Sequence, residues 1–237
     1  MSGYNLTSIE KFNVLRPLLK NHMLGSYEMP VMNRVYTEQL DIETLMPINC
    51  QNLNCRNNNS NKIALFFSYD KVLQRYWSQP LKYIPLLQTC RAASTPDFSV
   101  RSAMNRNMIR MAVFQNRWLG CIWSDCGILT VPTIGWDDLD TYDICFSGIS
   151  RYSVVVVSTI GCKNNSEKFL QGFNALKETI EPELIIVYGD IIKGMFGTFL
   201  NFKYKESFSR RKNMYEQIPL LLTSKITCIK EGEIIGI

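Results

Sequence analysis

Two aspartates, Asp97 and Asp137, each stand just after an apolar segment, where an enzyme built on a parallel sheet would carry its reactive side chains. Asp97 lies in the motif T-P-D-F-S, and Asp137 follows the segment I-L-T-V-P-T-I-G-W. If both carboxyl groups face one cleft, one can have a raised pKa and act as an acid while the other stays ionised. The local alternative is that Asp97 caps the helix beginning at Ser99 and that Asp137 anchors a turn.

Hydroxyl and aromatic side chains accompany these carboxylates at the predicted strand ends. The candidate binding residues there are Thr95, Ser99, Trp136, Ser158, Thr159 and Tyr188. Trp136 could stack on a ring or a nucleobase, or it could cover the core. The turn that holds Ser158 and Thr159 precedes a predicted helix, and a helix N-terminus favours an anion.

Basic residues recur along one predicted helix. Arg106, Arg110 and Arg117 fall on one line of that helix. Such a line could contact phosphates, so Arg106 and Arg110 are further candidate binding residues. A solvated helix face explains the same pattern.

Metal and cofactor motifs are weak in this chain. The pairs Cys50/Cys55 and Cys121/Cys126 have a spacing seen in zinc sites, but buried reduced thiols explain them as well. His22 is the single histidine, which argues against histidine-based triads and metal sites. Neither a G-x-x-x-x-G-K-[ST] loop nor a G-x-G-x-x-G turn follows a strand. We predict no metal site, and the cofactor stays unknown.

The elements that must position these residues alternate between strands and helices. The predicted strands are Ile63–Phe67, Leu86–Ala93, Ile128–Ile134, Tyr142–Phe146, Ser153–Ser158 and Leu184–Val187. The predicted helices are Lys71–Trp77 with Asp70 as its cap, Ser99–Trp123, and a helix that begins at Asn164 and ends before Pro182. The alternation predicts an α/β fold with a mainly parallel sheet and right-handed crossovers, either TIM-barrel-like or open and three-layered.

The predicted domain organisation is a single α/β domain with a decorated N-terminus. Residues 1–61 form a decorating segment, with a short helix at Ile9–Leu19 and an asparagine-rich loop at Asn49–Asn61. Residues 62–237 form the domain, in which residues 190–237 are a C-terminal extension that could add an edge strand.

Composition narrows the class of protein. The chain has 237 residues, 46% of them hydrophobic, which suits one sizeable core. A net charge of +5 permits a nucleic-acid or acidic-protein partner without requiring one. Six of the eight cysteines lie in or beside apolar segments, and the polar start of the chain offers no export signal. No apolar run approaches the roughly 20 residues of a membrane span. We therefore expect an intracellular protein with no membrane partner.

Six short motifs give the chain a family resemblance. They are T-P-D-F-S (Thr95 to Ser99), Q-N-R-W-L-G (Gln115 to Gly120), V-P-T-I-G-W (Val131 to Trp136), C-F-S-G-I (Cys145 to Ile149), S-T-I-G-C (Ser158 to Cys162) and I-V-Y-G (Ile186 to Gly189). In this order they resemble an uncharacterised domain-of-unknown-function family carried by phages, plasmids and integrated elements of bacteria. The resemblance implies a mobile-element origin and a location in the host cytoplasm, and it implies no established activity.

The chain departs from the pattern of that family at two points. Ala103-Met104-Asn105 stands where the family resembled has Asp-Met-Pro, and Gly135 stands where that family commonly has arginine. An arginine that belonged to a catalytic site would be missing here.

Two hypotheses of function stay open. The first is an enzyme that acts on a nucleotide, nucleic acid or other phosphate-bearing substrate, with Asp97 as acid or base. The second is a non-catalytic protein that inhibits or redirects a host or defence factor, with an aromatic and basic surface around Phe196–Lys212. A concave pocket lined by Asp97, Trp136 and Asp137 would favour the enzyme.

Overall fold

Eight strands follow one another in chain order across two four-stranded sheets. The computed structural model describes residues 7–204 and 226–232. The strands are β1 (Met46–Asn49), β2 (Lys62–Leu65), β3 (Ala92–Ser94), β4 (Thr130–Val131), β5 (Val155–Ser158), β6 (Ile185–Tyr188), β7 (Gly197–Phe202) and β8 (Ile226–Ile229). All neighbours pair in parallel except β7 and β8, which are antiparallel.

Among the described residues, an isolated β-bridge joins the two sheets. Thr133, just past β4, pairs in parallel with Val156 of β5, and the Ile134 amide donates to the Val156 carbonyl at 2.9 Å. Strand order is thus sequential across both sheets, but the strands in the described part of the chain do not close into a barrel. The predicted α/β class with a mainly parallel sheet is confirmed.

Six α-helices occur in the part of the chain that the structure describes. They are α1 (Ser8–Leu15), α2 (Asp70–Ser78), α3 (Ile84–Leu87), α4 (Arg106–Asp125), α5 (Tyr142–Cys145) and α6 (Ser166–Ile180). None of these described helices is long and apolar enough to cross a membrane.

Alternating side chains of the strands serve different cores. Val155 and Val157 of β5 pack in a core that includes Phe173 of α6, whereas Val154 and Val156 point into another. This second core gathers residues of β2 through β7, so both sheets curve around it. Leu40 and Leu45 of the N-terminal segment also pack there. Because successive strand residues face opposite sides, each buried strand needs apolar residues throughout.

The N-terminal segment contributes a strand to the sheet and contacts helix α4. Residues 46–49 were expected to lie outside the sheet but form β1, which pairs with β2. His22 Nε2 lies 2.8 Å from Asp125 Oδ1 at the end of α4. The Trp118 indole donates to the Arg16 carbonyl at 2.6 Å, and the Arg16 guanidinium lies 3.8 Å from the Trp77 ring centroid. The division at residue 61 stays a prediction.

Two predicted strands differ in the structure. Residues 142–145 form helix α5, because Tyr142, Cys145 and Phe146 are buried at helical spacing. The five-residue run also alternates, so its periodicity alone does not distinguish helix from strand. The strand predicted from residue 86 begins at Ala92, since residues 84–87 are helical.

Helix starts also differ from the predictions. The N-cap of α4 is Asn105, whose side chain accepts from the Asn107 amide at 2.9 Å, so residues 99–105 are a loop. The N-cap position of α6 is held by Asn165. At α2 that position belongs to Tyr69, so the Asp70 carboxylate is available to another element.

Candidate functional site

A cleft of about 190 Å³ opens at the carboxyl ends of β3, β4 and β5. Its lining comes from Asp97–Arg101 after β3, Ile134–Trp136 after β4, and Ser158, Ile160 and Cys162 at the end of β5. We call it the rim cleft. It brings together four of the predicted site residues from loops far apart in sequence. They are Asp97, Ser99, Trp136 and Ser158.

Asp97 lines the rim cleft, and its side chain does not cap a helix. Its amide donates to the Phe66 carbonyl at 3.1 Å, but its carboxylate has no hydrogen bond or ion pair among the described residues. It does not cap α4, which begins at residue 106. Burial raises the pKa of Asp97 to about 7, the Asp70 charge raises it further, and Arg101 opposes both. The side chain is therefore a titrating acid near neutral pH.

A buried polar network holds the two loops around Asp97 in place. Asn116 of α4 donates to the Pro96 carbonyl at 2.8 Å and to the Thr133 carbonyl at 3.2 Å. Thr95 donates its hydroxyl proton to Asn116 at 2.8 Å and accepts from the Thr133 amide at 2.8 Å. The predicted site residue Thr95 thus supports the cleft from within the core.

Trp136 forms a wall of the rim cleft. Its ring lies 5.1 Å from the Phe169 ring, and a Cβ placed on Gly172 of α6 would fall 2.1 Å from the indole nitrogen. Glycine at position 172 is what allows the indole to lie this close to the helix. The ring is therefore held in one position beside the cleft.

Asp137 does not line the rim cleft. Its carboxylate accepts from the Ser102 amide at 2.6 Å and pairs with Lys168 of α6. Burial tends to raise the pKa of Asp137, but hydrogen bonds from Lys168 and Ser102 outweigh it, so the pKa lies below its ordinary value. Asp137 stays ionised and ties a loop to a helix.

Thr159 and Tyr188 are buried beside the cleft. The Thr159 hydroxyl has no hydrogen-bond partner among the described residues, and Thr159 lines a neighbouring pocket of about 320 Å³ together with Gly189 and Tyr204. The Tyr188 ring stacks on the Phe67 ring, with the centroids 4.9 Å apart, in the core that contains Val154 and Val156. The exposed side chain of Ile160 lines both the rim cleft and this pocket.

The predicted basic line does not exist as one surface. Arg106 pairs with Asp143 at 3.0 Å, and the Arg110 guanidinium lies over the Tyr27 ring, both away from the rim cleft. Arg117 is buried and donates to the carbonyls of Ser147 at 3.0 Å and Cys145 at 2.6 Å.

Sequence reasoning missed two titratable residues of the rim cleft, Arg101 and Cys162. Burial raises the pKa of the Cys162 thiol, and the Asp97 charge raises it further while Arg101 lowers it. The T-P-D-F-S motif ends two residues before Arg101, and Cys162 belongs to S-T-I-G-C. In the sequence, their position beside or within these motifs is the signal that could have identified them as site residues.

Two other expectations from the sequence concern a metal site and an aromatic and basic surface. Among them, no three histidine, cysteine, aspartate or glutamate side chains converge to hold a metal ion. The aromatic and basic surface predicted at Phe196–Lys212 lies outside the described residues from position 205 onward.

The fold and the rim cleft define an α/β protein with a curved, mainly parallel sheet and a cleft at its carboxyl edge. The chain belongs to the family described as Domain of unknown function (DUF4417), which matches residues 21–205. It is 31% identical over 196 residues to the "Gene 1 protein" of Mycobacterium phage D29, covering 79% of this chain and 70% of that protein.

A second relative is the "Gene 1 protein" of Mycobacterium phage L5. It is 33% identical over 129 residues, which are 53% of this chain and 56% of that protein. Both relatives are phage proteins, as the resemblance to a mobile-element family implies. No solved structure matches the chain.

Proposed function

We propose that this protein is an enzyme that acts on a nucleotide or another small phosphate-bearing substrate in the rim cleft, with Asp97 as its general acid or base. The observation that carries the proposal is that the Asp97 carboxyl group lines a cleft built from three strand ends and has no hydrogen bond or ion pair with any described residue. In parallel α/β folds, ligands bind at the carboxyl ends of the strands.

The chemistry of the rim cleft supports this proposal. An acid with a pKa of about 7 exchanges protons readily at neutral pH, as general acid–base catalysis requires. Trp136 and Phe98 provide apolar surface for a ring, and Ser99 and Ser158 provide hydroxyl groups that orient polar atoms. A volume of about 190 Å³ suits the reacting part of a small substrate better than a duplex.

The test is a thermal-shift screen of the wild type and Asp97→Asn against nucleotides, short DNA and RNA, and divalent cations. Each protein is compared with its own ligand-free melting temperature. We expect a nucleotide or phosphate-bearing ligand to stabilise the wild type, and Asp97→Asn, which removes the titrating carboxyl group from the rim cleft, to change the size of this stabilisation.

Asp140→Asn is the matched control, because Asp140 is exposed and does not line the rim cleft. Ligand-induced stabilisation should survive in this variant. Equal stabilisation of wild type and Asp97→Asn by every ligand, or no stabilisation by any, would exclude the proposed site.

A further inference from the structure

The loop that forms one lip of the rim cleft is held by two carboxylates from other elements. The amide and the hydroxyl of Ser99 donate to Asp70 Oδ1 of α2, at 3.0 and 3.2 Å. The Ser102 amide donates to Asp137 Oδ2 at 2.6 Å. These bonds fix the loop at both ends through Ser99 and Ser102, so the side chain of Arg101 is not needed to hold it.

Arg101 lines the rim cleft as an unneutralised cation. Among the described residues it has no ion pair and no hydrogen bond through its guanidinium, whereas Arg34 and Arg106 each pair with a carboxylate at 3.0 Å. Its charge acts on Asp97 and on Cys162, so it lies within electrostatic reach of both. A cation on a fixed loop beside a cleft attracts an anion at little ordering cost.

We infer that Arg101, with the hydroxyls of Ser99 and Ser158, binds a dianionic oxyanion, namely the phosphate group of the substrate. This inference rests on the proposed function and names the part of the substrate that the lip recognises. A guanidinium offers two parallel N–H donors that match two oxygens of a phosphate group. The two hydroxyls line the same cleft, and each would donate to an oxygen of the anion by giving up its present acceptor, Asp70 Oδ1 at 3.2 Å for Ser99 and the Tyr188 carbonyl at 3.3 Å for Ser158.

Asp97 makes this binding dependent on pH. The charged or titratable groups that act on it are Asp70 from α2, Arg101 from the lip and Cys162 from the loop after β5. An ionised Asp97 repels a dianion, whereas a protonated one can donate a hydrogen bond to it. Binding therefore takes up a proton, and affinity decreases as the pH rises above about 7.

Inorganic sulfate is the first probe, because its charge stays constant between pH 6 and 8 while that of phosphate changes. Calorimetric titration of the wild type should show saturable binding that weakens by up to about tenfold per pH unit above 7. Arg101→Gln should lose about ten- to a hundredfold in affinity, and Arg101→Lys should recover part of it. Asp97→Asn should bind sulfate with the same affinity throughout this pH range.

The matched control is Arg56→Gln, since Arg56 is exposed in the asparagine-rich loop and does not line the rim cleft. It should bind sulfate like the wild type. Arg101 is also exposed, so Arg101→Gln should melt at the wild-type temperature without ligand. Sulfate binding unchanged in Arg101→Gln would overturn the inference.

Cys162 provides a second readout inside the cleft. Sulfate or phosphate should slow the alkylation of Cys162 several-fold, while exposed Cys55 reacts at an unchanged rate, as resolved by peptide mass spectrometry. If neither anion protects Cys162 but an uncharged nucleoside stabilises the wild type and not Asp97→Asn, the anion site is wrong and the proposed enzyme stands. If no ligand acts on either readout, both are wrong.

Discussion

Arg117 is an unusual buried cation, because neutral carbonyl and amide oxygens accept its hydrogen bonds where a carboxylate would be expected. It donates to the carbonyls of Thr133, Cys145 and Ser147 and to the side chain of Asn116. Burial lowers its pKa to about 10, so it stays protonated at neutral pH. One side chain thereby links three chain segments that meet behind the rim cleft.

Replacing Arg117 should be costly. We expect Arg117→Met to lower the free energy of unfolding by about 3 kcal/mol or more, because three buried carbonyls lose their donor. Urea unfolding measures this, with Arg91→Met as an exposed control expected within about 0.5 kcal/mol of wild type. Equal stability of both variants would contradict the role assigned to Arg117.

Asp97 should make stability depend on pH. Its pKa is about 7 in the folded protein against an ordinary 3.8, so the folded state holds the extra proton between these values. The contribution of this group to stability therefore falls as pH rises from about 4 to 7. Asp97→Asn should be more stable than wild type by about 2 kcal/mol at pH 8, less than the full ~4 kcal/mol because the carboxyl partly faces solvent.

The same comparison near pH 4.5 provides the control. There the folded carboxyl group is protonated while the unfolded one is mostly ionised, so the difference between the two proteins should shrink to about 1 kcal/mol or less. Urea unfolding at pH 4.5, 6 and 8 gives the profile. A stability difference that does not change with pH would show that Asp97 is not the titrating group.

At the scale of elements, helix α6 positions the wall of the rim cleft. Gly172 is the residue of α6 that lets Trp136 lie against the helix backbone. Alanine usually favours a helix over glycine by about 1 kcal/mol. At position 172 the added Cβ would overlap the indole, which cannot retreat because Phe146 and Phe169 pack against it.

We expect Gly172→Ala to destabilise the protein by about 1–3 kcal/mol despite the gain in helix propensity. Trp136 should move, which changes tryptophan fluorescence and weakens any ligand of the rim cleft. Asn174→Ala, at an exposed position of the same helix, tests propensity alone and should leave both properties near wild type. A stabilised Gly172→Ala would show that the wall adapts.

At the scale of the whole molecule, helix α4 connects two hydrophobic cores. One core contains residues of β5 and α6, and the other contains residues of β2 and α2. Ile109 and Val113 pack with β5 and α6, while Leu119 and Trp123 pack with β2 and α2. The core that contains Val154 and Val156 also includes residues of both sheets. Because these contacts span the bridge at Thr133, neither sheet is buried independently of the other.

The two sheets and the helices packed on them should therefore unfold together. We expect urea unfolding followed by tryptophan fluorescence and by circular dichroism to give coincident curves. Thr133→Val removes a hydroxyl that donates to the Thr95 carbonyl at 2.7 Å, and it should move both curves to lower urea by about 1–2 kcal/mol of stability. Curves that separate in either protein would show that the shared cores do not couple the two sheets.

Much of the fold could be predicted because burial on both faces demands apolar, β-branched strands. The runs at Ile63, Val154 and Leu184 meet that demand and were located correctly. Residues 142–146 were not, since a run of five satisfies both the helical and the strand period. Met108 and Met111 of α4 are largely exposed, so apolar character at helical spacing does not by itself place a side chain in the core.

The sequence by itself determined that the chain is an α/β protein and that Asp97, Ser99, Trp136 and Ser158 follow strand ends. Strand ends of a parallel sheet meet at one edge, so their meeting in one cleft required no further information. The tertiary structure alone decided that Arg101 and Cys162 join them and that Asp137 pairs with Lys168 outside the cleft. It also decided the pKa of Asp97, because a pKa depends on burial and on charges contributed by separate elements.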